Sequence, residues 1–134
     1  MDTNVYTKII DELSEINYNG RVYPHFYGEP LLDKRLPQLI EYTRKKLPLA
    51  TIVVYSNGDY LTKELFNRLI ASGVDGFVIT QHDAGMPKTM KQLFNQLTKQ
   101  QKKKICYQVF TEKTPPIYSW RFGPIKKYQK IEKM

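Results

Sequence analysis

Polar side chains follow three apolar segments of the sequence, and they are the residues whose chemistry could be functional. In chain order they are Gly28, Glu29 and Pro30, then Asn57, and then Thr80, Gln81 and His82. A carboxylate that is shielded from water is strongly unfavourable unless it is paired or hydrogen-bonded. A shielded Glu29 therefore predicts a cationic partner, such as the ammonium group of a ligand. The alternative is that Glu29 belongs to an ordinary turn and is solvated.

The stretch YPHFYGEP alternates polar and apolar side chains before a turn. Successive side chains of a strand point to opposite faces, so the two sets are expected to separate. The apolar face, with Val22 and Phe26, is expected to meet helices. Gly28 allows a tight turn with close approach of a ligand, and Pro30 sets the direction in which the chain leaves that turn. The other face is expected to point into a polar lumen and carries Tyr23, His25, Tyr27 and Glu29.

Helical and strand patterns alternate along the chain. Short apolar runs predict strands at residues 22–27, 51–55, 77–80 and 105–110. The first helix has two alternative apolar stripes, which are Tyr6, Ile9, Leu13 and Ile16, or Ile10 with Leu13. The later helices are predicted to begin at Asp33, Thr62 and Pro87, and the third is predicted to end at Gly73.

This order of elements predicts an α/β fold with a parallel sheet. The predicted strands start about 25 to 30 residues apart, which is the spacing of right-handed βαβ crossovers. The runs TIVVY and FVIT are continuously apolar, as expected for strands covered on both faces. Ligands of parallel α/β folds bind at the carboxyl ends of the strands. The three polar segments are therefore expected to converge on one site.

Length and charge exclude several classes of protein. The chain has 134 residues, which fits one domain. Residues 1–98 contain 11 basic and 11 acidic side chains, whereas residues 99–134 contain 10 and 2, so the tail accounts for the net charge of +8. We interpret the tail as solvated and do not expect nucleic acid as a partner. Neither a long apolar run nor a secretory signal pattern is present, which predicts a cytoplasmic protein with no membrane partner.

Three ordered motifs within residues 1–83 resemble the core of the radical S-adenosylmethionine superfamily. They are HFYGEPLL, VVYSNGDYLT and FVITQH, and the first is similar to the GGEP-type motif of those enzymes. Within the superfamily, the likeness is to the branch of 2-deoxy-scyllo-inosamine dehydrogenase and its auxiliary-cluster (SPASM/twitch-like) relatives. The resemblance implies a partial (β/α) barrel over residues 1–114 that lacks the first strand, followed by a basic segment over residues 115–134.

The resemblance also implies which residues bind ligands. In such enzymes a reduced four-iron four-sulfur cluster cleaves S-adenosylmethionine to a 5'-deoxyadenosyl radical, which abstracts hydrogen from an alcohol, a peptide or another substrate. The amino group of the cofactor is implied to lie at the GEP motif. The cofactor-binding residues are implied to be Tyr27, Gly28, Glu29, Pro30, Asn57, Thr80 and Gln81. The residues implied to contact a small-molecule or peptide substrate are His25, His82 and Arg121.

The sequence departs from this family at the cluster. A CxxxCxxC loop normally holds the cluster, and this chain has the single cysteine Cys106. We interpret Cys106 as a small buried hydrophobe and assign no metal ligand. The chain is therefore expected to be a truncated core that does not turn over by itself.

Two other interpretations stay open. The chain could be a non-catalytic module that binds S-adenosylmethionine or a sugar-like ligand, or one that completes another polypeptide bearing the missing strand and cluster. It could also hold a single metal ion, although no spaced ligand motif supports this. The candidate ligands for such an ion are His25, Glu29, His82 and Asp83.

Overall fold

A four-stranded parallel sheet with helices packed on one face forms the framework of the protein. The computed structural model describes residues 1–24, 28–81 and 85–109. All three strand pairs are parallel, and the order in the sheet follows the order in the chain. The strands are β1 (Arg21–Val22), β2 (Thr51–Ser56), β3 (Gly76–Gln81) and β4 (Ile105–Val109). The helices are α1 (Thr3–Glu15), α2 (Leu36–Lys46), α3 (Lys63–Ser72), α4 (Lys88–Gln96) and α5 (Lys99–Lys102), with a 3-10 turn at Pro30–Leu32. The predicted α/β class and parallel sheet are confirmed.

The first strand is shorter than predicted. It begins at Arg21 and ends at Val22, and Tyr23 and Pro24 follow it outside any strand. Pro24 has no amide hydrogen and so does not donate to a ladder with β2. The rest of the predicted strand, residues 25–27, lies outside the described residues.

Helix ends follow the sequence signals closely, with two differences. The Thr62 side chain accepts a hydrogen bond from the Leu65 amide at the start of α3, and Gly73 ends that helix with φ of 120°. Pro87 lies directly before α4 rather than in its first turn. Asp33 does not cap α2, because it lies before the first helical turn and instead accepts a hydrogen bond from the Arg35 amide. The short helix α5, with its Thr98 capping box, was not predicted.

The main core lies between the sheet and helices α2, α3 and α4. Alternate strand side chains point into it, and all of them are fully buried: Ile52, Val54, Phe77 and Ile79. They pack against residues contributed by the three helices, namely Leu36, Ile40, Phe66, Leu69, Met90 and Leu93. This packing fixes the register of β2 and β3, because a shift by one residue would turn these apolar side chains to the other face.

A second apolar cluster docks α1 against α2. It contains Tyr6, Ile10, Leu47 and Ala50. The stripe that includes Ile10 is therefore the one that is buried, while Ile9 is 40% exposed and Ile16 is 70% exposed. Of the two alternative stripes, the one with Ile10 and Leu13 is confirmed and the one with Ile9 and Ile16 is wrong, because α1 is rotated so that Tyr6 and Ile10 face α2.

Arg44 ties together the amino ends of β2 and β3. Its guanidinium donates to the carbonyls of Gly73 and Ala50, at 2.9 and 2.7 Å, and contacts Asp75 at 2.6 Å. The same Asp75 carboxylate accepts a hydrogen bond from the Ile52 amide. These contacts hold the end of the sheet opposite to the polar strand exits.

The predicted boundary between residues 1–114 and 115–134 lies outside the described residues and stays a prediction. Closure of the sheet into a partial barrel also stays a prediction. Within the part of the chain that the structure describes, no helix is long and apolar enough to span a membrane.

The docking of α1 leads to a prediction about stability. The Tyr6 hydroxyl is hydrogen-bonded to Thr43 Oγ1 at 2.6 Å in a buried environment, and this burial raises the pKa of Tyr6. We expect Tyr6→Phe to lower the free energy of unfolding by about 1 kcal/mol, since a buried hydrogen bond is lost. Urea denaturation followed by circular dichroism measures this change.

The matched control is Thr7→Ala on the same helix, whose hydroxyl bonds the carbonyl of Asn4 within α1. It should change stability by less than about 0.5 kcal/mol. Equal losses in the two variants would contradict the assigned role of the Tyr6 hydroxyl.

Candidate functional site

The carboxylate of Glu29 joins the GEP turn to the end of β2. Ser56 Oγ donates to Glu29 Oε1 at 2.6 Å, and the Asn57 amide donates to Oε2 at 2.9 Å. Oε1 also accepts a hydrogen bond from the Leu31 amide at 3.2 Å, which caps the 3-10 turn. Glu29 is half-buried. Two chain segments that are far apart in sequence are thus held together by one acidic side chain.

This arrangement tests one of the two expectations for Glu29, and the cationic ligand stays a prediction. The carboxylate is not simply solvated, because three donors contact it. Its described partners are neutral, and no salt bridge among the described residues includes it. A carboxylate offers about four acceptor positions. Two of the described donors use Oε1 and one uses Oε2, so within residues 1–24, 28–81 and 85–109 the contacts leave acceptor capacity on Oε2 for a further donor.

Gly28 and Pro30 shape the turn on either side of Glu29. Gly28 has φ of 84°, which L side chains rarely adopt, and a Cβ atom there would meet nothing within 4 Å. Its conformation rather than crowding therefore requires glycine. Pro30 is buried and begins the 3-10 turn. The backbone of Gly28 is thus open to approach beside the carboxylate.

The turn after β2 is held by its own side chains. Ser56 Oγ accepts a hydrogen bond from the Gly58 amide at 3.0 Å, and Asn57 Oδ1 accepts one from the Asp59 amide at 3.0 Å. Gly58 has φ of 81°, and a Cβ atom there would lie 2.6 Å from Met90 Cγ. This glycine is therefore required by conformation and by contact with α4.

Ser56 is the site residue that the sequence analysis missed. It is 7% exposed and contacts both Glu29 and the Gly58 amide. The signal that could have identified it is a serine at the last position of an apolar strand, directly before Asn57-Gly58. The predicted residue Asn57 does lie at the site, where its amide contacts Glu29 and its side chain stabilises the turn.

Tyr55 and Thr80 are half-buried strand residues outside the main core. They alternate with the core residues Val54 and Ile79, so they lie on the sheet face away from the helices. The rings of Tyr23 and Tyr55 pack edge to face with centroids 5.3 Å apart. Burial, reinforced by the neighbouring Tyr23, raises the pKa of Tyr55 to about 12. The Tyr55 hydroxyl is therefore a neutral donor at physiological pH.

The side chain of Gln81 lies on the other face of the sheet. Its Oε1 accepts a hydrogen bond from the Tyr107 hydroxyl at 2.7 Å, and Tyr107 belongs to the helix-covered core, where it packs against Phe94. Thr80 and Gln81 are adjacent in a strand, so their side chains point in opposite directions. Both residues were predicted to contact the cofactor. The cofactor contact assigned to Gln81 stays a prediction, and such a contact would involve its backbone.

Several predicted site residues lie outside the described part of the chain. They are His25, Tyr27, His82, Asp83 and Arg121. Their assigned roles stay predictions.

Cys106 does not fit an iron–sulfur cluster. It is half-buried in β4, opposite Val78, and burial raises the pKa of its thiol, which favours the protonated form. Cluster ligation needs several thiolates, and the sequence contains one cysteine. In the described ranges, no group of three or more His, Cys, Asp or Glu side chains could hold a metal ion.

Comparison with known proteins identifies a relative. Residues of this chain are 36% identical over 107 positions to S-adenosyl-L-methionine-dependent 2-deoxy-scyllo-inosamine dehydrogenase from Niallia circulans. The crystal structure of BtrN in complex with AdoMet and 2-DOIA matches with a TM-score of 0.76 at 35% identity, over 81% of this chain and 44% of that one. The structure of selenomethionine BtrN in an open conformation matches with a TM-score of 0.68 at 32% identity, over 83% and 45%. No family model matches the sequence.

The similarity covers most of this chain and less than half of the relative. The aligned region is 80% of this chain and 42% of the dehydrogenase. The α/β fold with four parallel strands is similar to that of BtrN. The chain is thus homologous, over that region, to an S-adenosylmethionine-dependent dehydrogenase.

Proposed function

We propose that this chain binds S-adenosylmethionine through its amino group and forms the cofactor-binding part of a radical S-adenosylmethionine oxidoreductase. The observation that carries the proposal is the Glu29 carboxylate, which is held by three donors from the described part of the chain and keeps acceptor capacity on Oε2 with respect to those donors. An ammonium group is a charge-matched donor for that position. The homology to an S-adenosylmethionine-dependent dehydrogenase supports the choice of cofactor.

Each part of the site has a role in this proposal. Glu29 binds the ammonium group, and Gly28 lets the ligand approach the backbone without meeting a side chain. Ser56 and Asn57 hold the carboxylate in place. In the proposed enzyme, bound S-adenosylmethionine supplies the radical that oxidises the substrate. The protein supplies placement and the exclusion of water.

The substrate is proposed to contact the sheet face away from the helices. This face carries Tyr55, whose hydroxyl is neutral at physiological pH, and Thr80. Neutral hydroxyl groups suit a polar substrate such as an alcohol or a peptide. Oxidation of an alcohol is the preferred reaction, because the homologous protein is a dehydrogenase.

The chain does not contain the ligands for the cluster that this chemistry requires. We propose that the chain is inactive by itself and that cysteines outside these 134 residues, for example on a partner polypeptide, hold the cluster. The alternative function is a non-catalytic module that binds S-adenosylmethionine or a sugar-like ligand. The single, half-buried cysteine favours this alternative, whereas the homology favours the enzyme.

The role of Glu29 is tested by calorimetric titration with S-adenosylmethionine. We expect Glu29→Ala to weaken binding by about tenfold or more, because a charge-assisted hydrogen bond is lost. Glu29→Gln should also weaken binding, since an amide offers only one oxygen to the donors that now share two.

The control is Glu41→Gln, an exposed acidic residue on α2, which should bind like the wild type. An unchanged affinity of Glu29→Ala for S-adenosylmethionine would refute the proposed binding of the ammonium group by Glu29. Absence of binding by the wild-type chain would refute the proposed function itself.

The absence of cluster ligands is tested by anaerobic reconstitution with iron and sulfide. We expect no stoichiometric four-iron cluster on this chain, and no difference between the wild type and Cys106→Ala in the sulfide-to-iron charge-transfer absorbance. A four-iron cluster that forms on the wild-type chain and resists gel filtration would contradict this prediction.

A further inference from the structure

We propose that Ser56 is a positioning residue that orients the Glu29 carboxylate toward the amino group of the ligand. This inference rests on the proposed function. Ser56 Oγ contacts Glu29 Oε1 and the Gly58 amide, and of these two groups Glu29 is the one proposed to touch the ligand, so Ser56 is expected to act on the ligand through Glu29.

The direction of the Ser56 hydroxyl bond follows from its two neighbours. The Gly58 amide can only donate, and it donates to Ser56 Oγ at 3.0 Å. The hydroxyl hydrogen is therefore free to point to the second neighbour, Glu29 Oε1, which accepts it at 2.6 Å. Consecutive hydrogen bonds of this kind, from the amide to the hydroxyl to the carboxylate, strengthen one another. The short hydroxyl–carboxylate distance is typical of a charge-assisted hydrogen bond.

Packing holds Gly58 beside Ser56. Gly58 has φ of 81°, which L side chains rarely adopt, and Met90 and Ile79 leave no room for a side chain there. Ser56 itself is 7% exposed, so bulk water competes little for its hydroxyl. The packing of α4 and β3 against the turn therefore fixes the position of the amide that donates to Ser56.

The consequence for Glu29 is that its two oxygens are not equivalent. Oε1 accepts from both Leu31 and Ser56, whereas Oε2 accepts from Asn57. The final torsion of a glutamate side chain is soft, so the carboxylate rotates easily when it is not held. Removal of the Ser56 hydroxyl releases Oε1 from one of its two donors, and the preference of Oε2 for the ligand is lost.

The test compares two ligands that differ only in the amino group. They are S-adenosylhomocysteine and its deaminated analogue, S-adenosyl-4-thiobutyrate. We expect Ser56→Ala to weaken binding of S-adenosylhomocysteine by about tenfold and binding of the deaminated analogue by less than about twofold. Ser56→Thr keeps the hydroxyl and should restore the preference for the amine.

The matched control is Ser72→Ala. Ser72 is also buried, and its hydroxyl bonds the Arg68 carbonyl in α3. This variant should bind both ligands like the wild type, even if its stability falls. If Ser56→Ala does not fold, as judged by circular dichroism, Ser56→Cys replaces it, because a thiol is nearly the same size and a weak donor.

The outcomes separate the two proposals. Equal weakening of both ligands in the Ser56 variant, or no weakening of either, would overturn the positioning role while leaving the proposed function intact. If the wild type binds neither these two ligands nor S-adenosylmethionine, the proposed function fails and this inference fails with it.

Discussion

The structure of the site depends on satisfying one half-buried carboxylate. Glu29 is placed between two turns, and its cost in free energy is offset by donors from both of them. This single group therefore links the end of the first strand region to the end of β2. The described donors are neutral and leave acceptor capacity on Oε2, so in the proposed function the group that organises the turns also binds the cationic group of the ligand. Under that proposal, local structure and ligand recognition have the same physical basis.

The core of the fold fixes the strand ends that hold this carboxylate. Apolar side chains on alternate positions of β2 and β3 pack against α2, α3 and α4, which fixes the register of the strands and the position of their ends. Met90 and Ile79 then limit the turn at Gly58. At the other end of the sheet, Arg44 and Asp75 hold the amino ends of the strands. The sheet face away from the helices, which carries Tyr55 and Thr80, is proposed to contact the substrate.

Much of the framework could be predicted from the sequence because its signals are local. The apolar runs of β2 and β3, the Thr62 cap and the Gly73 stop each depend on neighbouring residues, and the structure confirms them. The partners of Glu29 could not be predicted in this way, because Ser56 lies 27 positions along the chain. The face of Gln81 follows from its alternation with Thr80 in β3, whereas its partner Tyr107 is distant in sequence and could not be predicted locally. The strand β1 is shorter than predicted because Pro24 has no amide hydrogen to donate. The alternation of polar and apolar side chains had suggested a longer strand.

The similarity to BtrN favours an enzyme that uses S-adenosylmethionine, whereas the single cysteine does not supply the ligands of a cluster. The Glu29 carboxylate is compatible with both observations. The proposed site for the amino group, at Glu29, and the cluster ligands depend on different residues, so a chain can contain the first without the second. The most direct measurement is a two-dimensional amide NMR titration of the chain with S-adenosylmethionine. We expect shift changes concentrated at the amides of Gly28, Leu31, Asn57 and Gly58. Changes concentrated at the opposite end of the sheet, near Asp75, with those four amides unaffected, would contradict the proposed role of the carboxylate.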